Sequence, residues 1–320
     1  MMERIKEYFK NFKLSEHAIG LAFIVLFILS TIMGWPNFLK FRNITNILRQ
    51  ISYTGVIALG MTLVIISGGI DLSVGSMCCF VGGITVYSIN AFSGNPVIGV
   101  LLGILVALLS GTACGFVNGI LITQFNLAPF IITLGTMNIF RSLIQYMTKG
   151  ANILSNNAIW GTLGTGYFLS IPVPVWLFLI MAIVLNTYLN HTSVGRHTCA
   201  VGSNEQVAKY SAISTKWVKL LPYMITGFTV GITAIMWTSR LNCINPADCS
   251  NYEMDAIAAV VIGGTLMSGG RGSVVGTVMG AMMLGMINNM LTLSGVSAYL
   301  QPAVKGLVII VAVLLQRSKN

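Results

Sequence analysis

LSVGSMCCFVGGITVYSINAFSGNPVIGVLLGILVALLSGTACGFVNGILITQFNLAPFIITLGTMNIF, running from Leu72 to Phe140, lies between Asp71 and Arg141 and contains no Asp, Glu, Lys or Arg. A helix that crosses a bilayer needs roughly 20 apolar residues, so this stretch alone can hold three spans. Inside lipid the backbone must satisfy its own hydrogen bonds, which leaves helices or a closed barrel. The apolar runs are too long and too unbroken for barrel strands. The stretch therefore predicts an all-α, polytopic transmembrane helical bundle.

The rest of the chain agrees. Of its 320 residues 55% are hydrophobic and 8% charged, against roughly a quarter charged in a soluble domain. The net charge of +10 does not mark a nucleic-acid binder, because the Lys and Arg fall mainly in short clusters. Arg4, Lys6, Lys10 and Lys13 precede the first apolar run, Arg196, Lys209, Lys216 and Lys219 share one internal polar stretch, and Arg317 and Lys319 close the chain. Positive charge flanking spans marks the cytoplasmic face.

Hydropathy predicts about ten spans, over 18–35, 44–66, 73–92, 97–121, 127–148, 174–190, 219–240, 255–270, 273–290 and 301–316. The chain reads as a single transmembrane domain over 1–320. Residues 1–17, the polar loop 191–219 and the tail 317–320 all fall on the cytoplasmic side, so both termini are expected there. The first apolar run is read as an uncleaved helix rather than a signal peptide. Lys40, Arg42 and Arg49 crowd the start of the second run, which suggests that part of 36–50 lies along the interface. The loop 241–254 falls outside and carries Asp248 and Glu253. Cys243 and Cys249 share that loop, and a local disulfide between them is one reading of it. The six Cys, and the three His at positions 17, 191 and 197, show no zinc spacing. No metal or other cofactor is expected.

Ile66–Gly75 (ISGGIDLSVG) and Val261–Gly270 (VIGGTLMSGG) form a weak internal repeat, with Gly68 in register with Gly263, Gly69 with Gly264 and Ser73 with Ser268. Helices broken at matching places offer free backbone groups to a polar solute. Gly68, Gly69, Asp71, Ser73, Gly263, Gly264, Thr265 and Ser268 are therefore path candidates. Glycines also serve turns and close helix packing, and that plainer reading stays beside the first. Asp71 divides similarly: an intramembrane carboxylate is a functional candidate, while capping of the helix that starts near Ser73 is the simpler role. Arg141 and Lys305 could each snorkel to an interface or pair with a carboxylate, and snorkelling is the plainer expectation. In the polar stretch, Ser203 and Gln206 have capping-box spacing, predicting a short helix along the membrane face that presents Glu205, Lys209 and Tyr210.

Several of these motifs together carry a family resemblance. Gly60-Met61-Thr62-Leu63-Val64-Ile65 leading to Gly69-Ile70-Asp71-Leu72-Ser73-Val74-Gly75, then Pro129 to Thr136, Gly202-Ser203-Asn204-Glu205, and Asp255 to Thr265 with Ser268 to Gly272 occur in that order. The chain resembles the ribose-type membrane permeases of ATP-binding-cassette importers over nearly its whole length. The resemblance implies an inner-membrane protein whose partners are a cytoplasmic ATPase, an extracytoplasmic sugar-binding protein and a second permease copy, like or unlike. Gly202, Ser203, Asn204, Glu205 and Lys209 would then belong to the coupling helix that docks on the ATPase. Departures include Val207, Lys209 and Tyr210 where small residues and Arg are usual, Leu266 for a customary Ser, and Asp248-Cys249-Ser250 where glycines are expected. No phosphate loop ending in Gly-Lys-Ser or Gly-Lys-Thr is present, so the chain is not expected to be an ATPase itself. The rival readings are an ion-coupled secondary transporter of a small polar solute and a membrane scaffold that transports nothing.

Overall fold

The computed structural model describes residues 14–92 and 94–317. The basic residues Arg4, Lys6, Lys10, Lys13 and Lys319 lie outside the described residues. Along the chain come α1 (Leu14–Met33), α2 (Phe41–Ile66), α3 (Val74–Ala91), α4 (Pro96–Gln124), α5 (Pro129–Thr148), β1 (Ile153–Leu154) and α6 (Trp160–Thr165). They are followed by β2 (Tyr167–Phe168), β3 (Ile171–Pro172), α7 (Val173–His191), α8 (Ser193–Ser203), α9 (Glu205–Tyr210), α10 (Thr215–Leu241) and β4 (Cys243–Ile244). Helices α11 (Tyr252–Ile262), α12 (Val274–Leu293) and α13 (Gln301–Arg317) complete the order. Each apolar run of the sequence contains a helix among the described residues, and α2, α3, α4, α7, α10 and α12 are long and apolar enough to cross a membrane alone.

Helix α2 forms the centre, with Val56 to Ile66 entirely buried among α7, α10, α11 and α12. It runs unbroken from Phe41, so residues 41–50 continue the span instead of lying flat in the interface. The reason is length: 26 residues reach about 39 Å at 1.5 Å each, longer than the ~30 Å hydrocarbon layer, which lets Arg42 sit beyond it and leaves Arg49 at its edge, with its guanidinium over the Tyr167 ring. Helix α11 departs the other way. It is expected over 255–270 but stops at Ile262, about 16 Å of helix, roughly half the layer.

The most extensive helix pairing is α4 against α10. A Cβ on Gly111 would lie 2.4 Å from Gly227 O, one on Gly115 2.2 Å from Tyr223 O, and one on Gly231 2.5 Å from Ala107 O. Small residues every fourth position let the two backbones touch, the usual device where lipid gives no hydrophobic drive for helix association. The opposite face of α4 presents Val97, Leu101, Leu105 and Leu109 outward, a stripe suited to lipid tails.

Two short antiparallel pairings, β1 with β4 and β2 with β3, close the loops at the end where α2 begins. There Arg141 does not snorkel: its guanidinium donates to the carbonyls of Pro246 and Asp248, at 2.5 and 2.9 Å. Lys305 does not snorkel either, since its ammonium donates to both Asp255 oxygens, at 2.8 and 3.0 Å. A carboxylate within reach on the neighbouring helix outweighs a longer route to water. Cys243 and Cys249 are both free. Cys249 instead places its sulfur 3.4 Å from that of Cys78 on α3, because β4 pairing holds Cys243 against Leu154.

Candidate functional site at the Glu205 end

Two helices stop at glycines with one backbone design. At the end of α2 the N–H groups of Gly68 and Gly69 donate to Ile65 O and Val64 O, each at 2.9 Å. At the end of α11 those of Gly264 and Thr265 donate to Val261 O and Val260 O, at 2.9 and 3.2 Å. This is the Schellman arrangement, whose residue after the cap is left-handed and strongly favours glycine. That residue is Gly68, at φ +83°, and Gly264, at φ +84°. The structural register therefore pairs Gly68 with Gly264, one position from the sequence register of Gly68 with Gly263. The demand for positive φ, not the count of glycines, sets the equivalence.

The two turns touch each other. Gly270 donates its N–H to Ile66 O at 2.8 Å, and a Cβ on Gly269 would lie 3.1 Å from Gly68 Cα. The corner between α8 and α9 is wedged into the same place. A Cβ on Gly202 would come within 1.7 Å of Ile66 O and 2.7 Å of Gly270 N, and one on Gly270 within 2.8 Å of Ser203 Cα. Three backbones thus meet at one place, with the Ser203 side chain packed against Gly270.

Asn204 makes the corner. Its backbone is extended, with φ −159° and ψ 105°, and its side chain accepts the Val207 N–H at 3.1 Å. The cap of α9 is thus Asn204 rather than Ser203, which ends α8, and the Ser203–Gln206 capping box is not formed. Tyr210 and Val207 point outward. Glu205 does not: its carboxylate turns toward α10, where it pairs with Lys219 and, at 3.2 Å, with Lys209 on its own helix. The hydrogen bond from Lys219 holds the Glu205 carboxyl below its usual range.

A cavity of about 520 Å³ opens beside this corner, walled by Gly68, Gly69, Thr123, Glu205, Lys209 and Tyr223 among others. Asp71 and Ser73 lie fully buried outside its wall. Asp71 Oδ1 accepts the Ser73 N–H at 2.9 Å and the Ser73 hydroxyl at 2.6 Å, holding the entry to α3. Asn118 on α4, which sequence reasoning missed, donates to Ser73 Oγ at 2.9 Å and more weakly to Asp71 Oδ2 at 3.4 Å. An amide in the middle of an uncharged span was the signal available for it. Gly263 packs on α12, where its Cβ would lie 2.4 Å from Gly276 O, and Gly264 faces Ile19 of α1. Thr265 is buried and Ser268 exposed, and neither lines the cavity. The structure therefore gathers Gly68, Gly69, Gly202, Ser203, Glu205 and Lys209 at one place, and leaves Gly263, Gly264, Thr265 and Ser268 outside the wall.

A bundle of membrane-crossing helices, two of them broken against a polar corner at one end, defines a membrane transport subunit. Residues 43–313 match the family described as branched-chain amino acid transport system / permease component. The ribose import permease protein RbsC of Bacillus subtilis is 43% identical over 306 residues, covering 93% of this chain and 92% of the relative. That of Haemophilus influenzae is 39% identical over 317 residues, 97% of each chain. The D-allose transport system permease protein AlsC of Escherichia coli is 35% identical over 310 residues, 96% of this chain and 94% of the relative. No solved structure matches the chain. The chain belongs to this permease family, and is a multi-pass membrane permease subunit of an ATP-binding-cassette importer.

Proposed function

We propose that the chain conducts a monosaccharide, a pentose or hexose, released by an extracytoplasmic binding protein into a path completed by a second permease copy. The matched family description speaks of amino acids, while the near full-length relatives at 35–43% identity are ribose and D-allose permeases. The closer likeness favours the sugar. The Glu205 end faces the cytoplasm, in keeping with Arg196, Lys209, Lys216 and Lys219 gathered there, and both termini lie on that side. The segment Gly202 to Lys209 receives the ATPase. Gly68, Gly69, Asp71, Ser73, Gly263, Gly264, Thr265 and Ser268 remain the residues of the two helix breaks through which the stroke acts, with Gly68 and Gly69 bordering the path itself.

The observation that carries this reading is the wedge of Gly202 and Ser203 between the two glycine turns. When the ATPase pair closes on nucleotide, α9 is drawn with it, and its corner shifts the ends of α2 and α11. Rigid helices then rock about the buried centre, which gives alternating access. The ion-coupled alternative finds less support. Asp255 is neutralised by Lys305, and Asp71 is engaged by three donor groups.

The test is site-directed crosslinking in the assembled transporter. Tyr210→Cys, on the outward face of α9, should crosslink to the ATPase in inside-out vesicles, with a yield that changes on ATP binding. Absence of any ATPase adduct from Tyr210→Cys and Val207→Cys alike would remove the coupling assignment.

A further inference from the structure

At the end remote from Glu205 lies a second cavity, of about 370 Å³, lined by α2, α10, α11 and α12. Three aromatic rings form one wall. Tyr53 and Trp237 meet edge to face at 5.5 Å between centroids, and Trp237 and Tyr252 at 5.7 Å. Polar groups complete the lining: the Arg240 guanidinium, 5.6 Å from the centre of the Tyr53 ring, the Asp255 carboxylate and the Asn288 side chain. The indole N–H of Trp237 and the side-chain oxygen of Asn288 are buried with no hydrogen-bond partner among the described residues.

We propose that this cavity is a transit site for a neutral sugar, occupied after release from the binding protein and before the path opens toward Glu205. The proposal rests on the sugar-permease reading above. Three features select the ligand. Aromatic rings offer flat apolar faces that match the C–H face of a sugar ring, while a donor, an acceptor and an amide around them match alternating hydroxyls. Buried polar atoms without partners are costly unless something completes them, and here one is a donor and the other an acceptor. The wall's carboxylate, Asp255, is already paired with Lys305, and the Arg240 guanidinium rests on the Tyr53 ring. A neutral polyol thus enters without stranding a charge. The size also fits, since specific small-molecule sites run from about 300 Å³ upward. Between this cavity and the one at Glu205, α2 is buried from Val56 to Ile66, so the two form separate vestibules across an apolar barrier about 16 Å long.

Two measurements test the site. Purified permease in nanodiscs, with no binding protein, is titrated with D-ribose and D-allose while tryptophan fluorescence is followed; Trp237→Phe keeps an aromatic ring and removes the N–H. A saturable change in the parent chain that is lost in Asn288→Leu, which keeps the Trp237 fluorophore, with unchanged thermal stability, is the expected result. In proteoliposomes holding the complete transporter, Trp237→Phe and Asn288→Leu should lower sugar imported per ATP hydrolysed about tenfold, the effect of losing one completed hydrogen bond. ATPase stimulation by loaded binding protein should persist. Unchanged import per ATP in both stable variants overturns the transit site and leaves the sugar-permease reading standing. If the parent transporter imports neither sugar, or if a sugar acid alone perturbs Trp237, the neutral-sugar assignment falls with it.

Discussion

Gly202→Ala should uncouple the transporter without unfolding it. Gly202 lies in the last turn of α8, where alanine is intrinsically preferred by about 1 kcal/mol, so nothing local opposes the change. The opposition comes from across the contact. The added methyl would sit 1.7 Å from Ile66 O, whereas ordinary contact begins near 3.4 Å, so the corner must retreat by roughly half that larger distance. The Ile66 carbonyl already accepts the Gly270 N–H, and retreat of the corner strains that bond as well. Overpacking of this kind costs about 1–3 kcal/mol, a modest loss of thermal stability that the helix preference partly offsets. The effect on coupling should be larger, at least tenfold in uptake per ATP, because the three backbones no longer move as one. The assay is sugar uptake and binding-protein-stimulated ATP hydrolysis in the same proteoliposomes. Gly135→Ala, with nothing within 4 Å of its added methyl, serves as the control. Parent-like uptake per ATP in Gly202→Ala would refute direct transmission through the corner.

Three further outcomes follow from particular contacts. Glu205 titrates below its usual range because of Lys219, so its ion pair contributes fully above the unfolded carboxylate value of about 4.3 and is lost as pH falls through the depressed folded value. ATPase association should therefore be flat from pH 5 to 8 where this pair is concerned, and Glu205→Lys, which sets three cations together, should impair association in pull-down while leaving membrane insertion intact. Mild oxidation should join Cys78 to Cys249, whose sulfurs stand 3.4 Å apart against about 2.05 Å when bonded. Peptide mapping should find that bridge, and a Cys243–Cys249 product would contradict the loop geometry. Lys305→Met leaves a partly buried Asp255 without its cation and should cut accumulation sharply, a loss of order 3–5 kcal/mol for a broken buried pair. Lys305→Met with Asp255→Asn should recover most of it, as read by detergent-extracted yield and melting temperature.

The helical bundle was legible because scarcity of charge over Leu72–Phe140 leaves the backbone no other way to satisfy itself in lipid. Ten apolar runs became helices for that reason. Hydropathy could not show that α11 halts halfway, since Gly263 and Gly264 are apolar and do not interrupt an average. The repeat was visible, but its register depended on which glycine takes positive φ, a backbone property that two adjacent glycines conceal. Glu205 was singled out correctly as part of a helix start, whereas its turn toward Lys219 depends on α10, fourteen residues away in sequence and beyond any local rule. The same limit applies to Lys305, whose partner Asp255 is fifty residues distant. The aromatic cavity left no signal at all: Tyr53, Trp237, Tyr252 and Asn288 come from four helices, and each alone reads as an ordinary amphipathic residue near a span end.

The account turns on ATP acting through the Glu205 corner to move a sugar. The most direct measurement is D-ribose uptake into proteoliposomes containing the chain, its ATPase and its binding protein, with ion gradients collapsed. Uptake that requires internal-face ATP and the binding protein, and that disappears in Gly202→Ala while hydrolysis continues, is the result expected. Uptake driven by an imposed ion gradient through the chain alone, with no ATP, would contradict it.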